Sequence, residues 1–357
     1  MRLFTPVQMG NLCLKNRIVF APTSMGRAGV GAYEQIAAGG TGLLIMADLS
    51  VVPSMLGEPG LDSMEHADYY HSVVEACHRY GCKISAQLFH PEYDPVYAKT
   101  LYVEARRGQG ISPAQARQKI HENSIEYCDK MKPSTVEEII QKFSEAAKRA
   151  KELGFDMVQI HGDRLLGSFT SPLFNHRTDQ YGAHLHVPAR IVGAVKSAVP
   201  DLPIDYKLTI RMEEEGLGRG GIARDEIPEF VQKLDDLGVD GYHVTLANHT
   251  DIENTIPRRN HPILAKEGCF AGLAKEVKRH TSKPVCTVGK WQTIDKMEKV
   301  LEDGIELVGM SRQLIADPRW PDKVLGGKED TIIYCRYCNQ RCVKSLHNGA
   351  PVGCIFH

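Results

Sequence analysis

Three thiols stand within eight residues at Cys335, Cys338 and Cys342, and a fourth follows at Cys354, giving the spacing C-x2-C-x3-C-x11-C. Four thiolates on so short a stretch can hold one tetrahedral Zn2+ or the four irons of a [4Fe–4S] cluster. The usual zinc framework is two separated C-x2-C knuckles, which this is not, but the residues alone leave both ligands open. The remaining six of the ten cysteines, Cys13, Cys77, Cys82, Cys128, Cys269 and Cys286, are scattered and read as small hydrophobes of the core. The chain shows no cleavable signal pattern and no apolar run near the ~20 residues that span a bilayer, so a cytoplasmic protein with reduced thiols is expected. Net charge is −1 without a long basic block, which argues against nucleic acid or a membrane surface as partner and for a small-molecule substrate.

The other residues able to do chemistry sit where short apolar runs end. Such runs occur at 17–22, 41–48, 82–89, 155–162, 203–210, 239–246, 283–290 and 305–312. Amphipathic stretches separate them. Residues 135–154 read as a helix with Ser134 and Thr135 as N-cap candidates and Gly154 as its stop, and 223–238 and 293–304 repeat the scheme, each closing on a glycine. Eight strand–helix units predict a (β/α)8 TIM barrel over residues 1–325, with 326–357 as a short cysteine-rich segment. The open doubly wound sheet competes less well, because no glycine-rich dinucleotide fingerprint follows the first strand. A barrel gathers its chemistry at the C-terminal ends of its strands, which here carry Pro22, Thr23, Ser24, Asp48, Gln87 to His90, His161 to Asp163, Lys207, His249, Gly289 and Arg312. Residues 91–131 and 163–187 are too long for connectors and are expected as lids or substrate walls.

The strand-end phrases NRIVFAPTS (16–24), GGTGLLI (39–45), AQLFH (86–90), SPLFNHRTDQYG (171–182), PVCTVGK (284–290) and VGMSRQLIADP (308–318) resemble, in order, the signatures of the old yellow enzyme family of FMN-dependent oxidoreductases. With the terminal cysteines the chain is most similar to the family's iron–sulfur branch, that of 2,4-dienoyl-CoA reductase and trimethylamine dehydrogenase. The resemblance implies FMN and a [4Fe–4S] cluster, with Cys335, Cys338, Cys342 and Cys354 as metal ligands. It places Pro22, Thr23 and Ser24 under the flavin ring, Gln87 at its pyrimidine edge, and Lys207 beside N1 and O2. Gly289, Lys290, Ser311 and Arg312 fall at the phosphate site. Each type suits its place: an amide both donates and accepts, a cation holds an anionic reduced ring, and a guanidinium forks onto phosphate oxygens. Where the family has arginine this chain has Lys207, which keeps the charge and loses the fork.

The substrate side departs further. The family's proton-donating tyrosine has no equivalent in HGDRLLGSFTSP (161–172), where Asp163 and Arg164 stand instead. His161 and His249 are candidate carbonyl or proton partners, and Tyr93, with Tyr97 and Tyr102, is a candidate replacement acid from the third loop. The expected activity is an ene-reductase adding hydride from flavin N5 to an alkene activated by a carbonyl. An amine dehydrogenase or demethylase running electrons outward, and an electron-transfer subunit, are the alternatives. Members of the branch continue past the cluster into a nucleotide-binding portion, and nothing in this sequence resembles one. Electrons are therefore expected from an external reductase, flavodoxin or ferredoxin-like donor, with NAD(P)H as the other source and a homo-oligomer as a further expectation.

Overall fold

The computed structural model describes residues 1–357 apart from 26–28, 54–59, 109, 213–216, 218, 248–255 and 349. Eight parallel strands close into one barrel: β3 Ile18–Thr23, β4 Leu43–Ser50, β5 Lys83–Phe89, β6 Met157–His161, β7 Ile204–Ile210, β8 Gly241–Leu246, β9 Val285–Thr287 and β10 Leu307–Met310. β10 pairs with β3 to complete the circle. Each strand begins one or two residues inside the run expected for it. The helices return on the outside. Pro133–Glu152 buries Val136, Ile139, Ile140, Phe143, Ala147 and Ala150, the i, i+3, i+4, i+7 stripe of a helix lying on a sheet. Its start corrects the expected cap: Lys132 is the N-cap and Pro133 takes the first helical position, where a missing N–H costs nothing. Gly154 ends it at φ +88°, as Gly238 and Gly304 end the later helices at +89° and +99°.

Two departures from expectation bear on access to the barrel. The N-terminal stretch forms an antiparallel hairpin, β1 Val7–Met9 and β2 Leu12–Leu14, turning on Gly10 at φ +58°. Val7, Met9, Leu12 and Leu14 pack with Val19, Leu43, Ile45, Met157, Cys286 and Leu307, which corks the end of the barrel where the strands begin. The third loop is not irregular: it holds two helices, Pro95–Arg106 and Pro113–Lys130, with a small core of their own around Ala98, Leu101, Ala116 and Ile120. Asp94 caps the first through Val96 N and Tyr97 N, and Ser112 with Gln115 forms a capping box on the second. Among the described residues no helix is long and apolar enough to cross a membrane.

Candidate functional site

At the C-terminal ends of the strands lies a cavity of about 470 Å³. Pro22, Thr23 and Ser24 after β3, Gln87 on β5, His161 on β6, Lys207 on β7, Gly289 and Lys290 after β9, and Ser311 and Arg312 after β10 all face it, and Tyr93 reaches it from the third loop. Tyr97 is exposed on its helix and Tyr102 packs in the satellite core. His249 lies outside the described residues. His90, at the end of β5, is turned away: it is buried, its Nδ1 lies 2.8 Å from Pro91 O, and burial pushes its pKa down to about 4. Tyr337, Cys342, Val343 and Val352 from the C-terminal segment complete the wall.

The floor is a polar chain that runs across four strands, β4 to β7. Asp48 N–H donates to Gln87 Oε1 (3.3 Å), Gln87 Nε2 donates to Gln159 Oε1 (2.5 Å), and Gln159 Nε2 donates to Asp205 Oδ2. Strand register places Gln87 beside Gln159 and Gln159 beside Asp205. Asp205 Oδ2 accepts from Gln159, which sets the way both amides face and hence which atoms Gln87 has left for a ligand. Burial raises Asp205 to about 7, against the opposing pull of the Gln159 and Tyr206 donors. Because the folded carboxyl holds its proton more tightly than the ordinary ~4 of an unfolded chain, stability falls as pH rises through about 7. Asp205→Asn removes that slope from thermal melts taken across roughly pH 4 to 7, the span between these two values; an unchanged slope assigns the titration to another group.

Beside this floor the Lys207 ammonium lies 3.3 Å from His161 Nε2, and His161 Nδ1 accepts from Asp163 N–H. Burial lowers the Lys207 pKa, opposed by Asp163 and Asp48. Arg164 pairs with Glu92 at 3.2 Å, and Glu92, Asp48 and Asp163 hold its pKa up against burial. His243 on β8, paired in register with Lys207 on β7, is pushed down to about 3 by burial and by that lysine, so it is neutral. Thr23 Oγ1 and Ser311 Oγ share a 2.5 Å hydrogen bond between the first and last barrel strands.

At Gly289, φ +122°, an added Cβ would lie 2.9 Å from Cys269 Sγ and 3.1 Å from the main-chain N of Cys269 and Phe270, so only glycine lets backbone approach this closely. Lys290 is placed differently from its expected role. Its Nζ donates to Ala265 O (2.5 Å), Leu264 O (3.3 Å) and Arg258 O (3.3 Å), which leaves its backbone, not its ammonium, toward the cavity. Arg312 Nη1 donates to Pro257 O and Asn339 Oδ1, and its guanidinium stands 4.8 Å over the Tyr337 ring.

The four terminal cysteines line a second, much smaller void of about 20 Å³, and Arg312 and Cys342 border both spaces. Tyr337 N–H donates to Cys335 Sγ (3.3 Å), Tyr337 Oη donates to Lys290 O (2.6 Å), and Asn339 Nδ2 donates to Ile256 O (2.7 Å). Among the described residues no three His, Cys, Asp or Glu converge on a point that would hold a single ion. The quartet surrounds a space. Burial raises the Cys335 thiol to about 11. Strain concentrates here: the described non-glycine residues at positive φ are Asp48, Arg164, Lys290, Tyr337 and Asn339, and every one borders one of these two spaces.

Residues 2–331 match the NADH:flavin oxidoreductase / NADH oxidase family. The chain belongs to that family. It is 40% identical over 359 residues to a bilirubin reductase of Clostridium symbiosum, covering 98% of this chain and 96% of that protein. A bilirubin reductase of Mediterraneibacter gnavus is 32% identical over 373 residues, 100% of this chain and 57% of that protein. The fold is similar to that of 2-naphthoyl-CoA reductase in complex with 2-naphthoyl-CoA, with TM-score 0.81 at 22% identity over 100% of this chain and 57% of that one. The chain thus spans nearly all of the first relative and about half of the other two. Members of the NADH:flavin oxidoreductase family are FMN-dependent, and the cavity suits FMN: an amide whose polarity is fixed, a half-buried cation that an anion would stabilise, a close backbone approach at Gly289 and a half-buried arginine.

Sequence reasoning missed Gln159, Asp205, Tyr337 and Asn339. Gln159 and Asp205 carry no local signal, because their role follows from strand register. Tyr337 and Asn339 stand inside the cysteine motif itself, between Cys335 and Cys342, and could have been marked there.

Proposed function

We propose that this chain is an FMN- and [4Fe–4S]-dependent ene-reductase acting on a conjugated, carbonyl-bearing alkene of the bilirubin type. The observation that carries the reading is the turn after β6, which sets Asp163 and Arg164 in the cavity wall within electrostatic reach of Lys207. The end-to-end likeness to a bilirubin reductase supports the substrate class. Bound FMN supplies hydride chemistry, and the cluster held by Cys335, Cys338, Cys342 and Cys354 supplies electrons singly.

The chain's own groups have separable tasks in this reading. Gln87, with its amide fixed by Asp205, orients the ring edge, and Lys207 holds the charge that accumulates there. Pro22, Thr23 and Ser24 lie beneath and beside the ring, while Gly289, the backbone of Lys290, Ser311 and Arg312 take the phosphate. Arg164, anchored by Glu92, polarises the substrate carbonyl, where stabilising a developing enolate lowers the barrier. Asp163 passes a proton to the carbon next to that carbonyl, with Tyr93 standing near Arg164 and His161 keeping Lys207 in place. Residues 326–357 act as the cluster-binding segment.

The test is anaerobic. Protein loaded with FMN, iron and sulfide is reduced with dithionite-treated viologen and offered bilirubin or an enoate; loss of the substrate chromophore with reoxidation of the flavin is expected. Bleaching of oxidised flavin by a panel of amines, with bilirubin and enoates untouched, overturns the reading in favour of amine oxidation.

A further inference from the structure

The charge of this nearly neutral chain is unevenly placed. Residues 256–266 and 331–357 hold Arg258, Arg259, Lys266, Arg336, Arg341 and Lys344 and none of the 44 Asp and Glu. The fold brings the two segments together over the cysteines. Arg259 N–H donates to Tyr337 O (3.1 Å), and Asn339 reaches Ile256 O. Arg258, Arg259 and His261 border an open hollow of about 520 Å³ that ends on Tyr337 and Cys338. Cys338 is also in the wall of the cysteine void, whose other side is formed by Arg336, Arg341, Ile355 and Phe356. Three large apolar side chains of the segment are exposed, Tyr334 at 46%, Ile355 at 40% and Phe356 at 38%, and the Arg336 guanidinium stands 5.0 Å over the Phe356 ring. Among the described residues Arg259, Arg336 and Lys344 have no carboxylate partner.

An apolar centre with a rim of one charge is the anatomy of a transient docking face, in which the rim steers the encounter and the centre makes the contact. We propose that this face receives an acidic one-electron carrier protein, which delivers electrons to the cysteine-bound cluster across the thin wall at Cys338. The inference rests on the proposed function and names its reductant. Reducing one C=C takes two electrons and two protons, so two carriers, each oxidised by one electron, are consumed for each C=C that becomes CH–CH. A second copy of this chain is disfavoured as the occupant, because two like-charged rims would repel.

The experiment measures binding, with oxidised partners so that no turnover is needed. An acidic ferredoxin is titrated into the full chain loaded with FMN and iron, with a basic c-type cytochrome as counter-probe. The ferredoxin Kd is expected to rise about tenfold or more as salt goes from roughly 50 to 300 mM, since a rim of exposed charge is screened over that range. The double variant Arg258→Glu/Arg259→Glu, and separately Arg336→Glu, are each expected to raise Kd by roughly tenfold or more at low salt while FMN and iron contents stay at wild-type values. Lys233→Glu, on the outer helix Ile227–Asp236, is expected to leave Kd unchanged. Salt-insensitive binding, equal Kd for the reversed variants, binding of the cytochrome in preference, or no ferredoxin binding at low salt each overturns the proposal. Alkene reduction driven by viologen without ferredoxin binding sinks this face and keeps the activity. Salt-dependent ferredoxin binding without alkene reduction does the reverse.

Discussion

Asp163→Asn lowers kcat for the conjugated alkene by about 10²–10⁴-fold, the range that a positioned proton carrier supplies. The substitution keeps the shape of the side chain and removes its ability to carry a proton to carbon. Asp163 is buried, its own N–H is engaged with His161 Nδ1, and it interacts electrostatically with both Lys207 and Arg164. FMN binding is expected to hold, because Gln87, Gly289 and Arg312 are untouched. The companion variant Arg164→Met should raise KM as well as lower kcat, since it frees Glu92 and removes the group that meets the substrate carbonyl. A kcat within threefold of wild type for Asp163→Asn, with stoichiometric flavin, assigns proton delivery elsewhere, and Tyr93→Phe is then the decisive variant.

Cys342→Ser is the second large effect. Serine keeps the volume and abolishes the soft thiolate that iron requires, so iron and acid-labile sulfide fall to background after anaerobic reconstitution. Cys342 was chosen over its three partners because it borders both spaces, and its loss is read in the flavin as well: ferredoxin-driven turnover disappears, while photochemical reduction of the flavin persists. Cys13→Ser is the control, as Cys13 is exposed on the hairpin far from the quartet, and it should leave iron content unchanged. Full iron and sulfide in Cys342→Ser would mean that the void is held by other ligands.

The barrel was legible because its strands are short apolar runs closed by glycine-ended helices, and both signals are local. The helices Pro95–Arg106 and Pro113–Lys130 were legible too and were passed over: Asp94-Pro95 and Ser112-Pro113 each put a capping side chain before a proline, and Gln115 completes a capping box. Their polar composition, which buries only a few side chains of each, reads as loop when hydrophobic periodicity is the guide. At the site, residues at strand ends were found by position alone, and the family resemblance then gave them tasks. What could not be read was partnership. Gln159 looks like an ordinary polar residue in a strand until β5 and β7 are known to flank it, and Asp205 looks like a surface carboxylate until the same register buries it. Lys290 shows the opposite failure, a cation next to a phosphate-type glycine whose ammonium the fold turns toward three carbonyls of the 257–265 loop.

The hairpin packed beneath the strands has a kinetic corollary. With that end stoppered by Met9 and its neighbours, small molecules reach the cavity from the face where the strands end. A nicotinamide and an alkene competing for that face would exclude each other and give parallel double-reciprocal lines, whereas a protein donor unloading through the cysteine side leaves the face to the alkene.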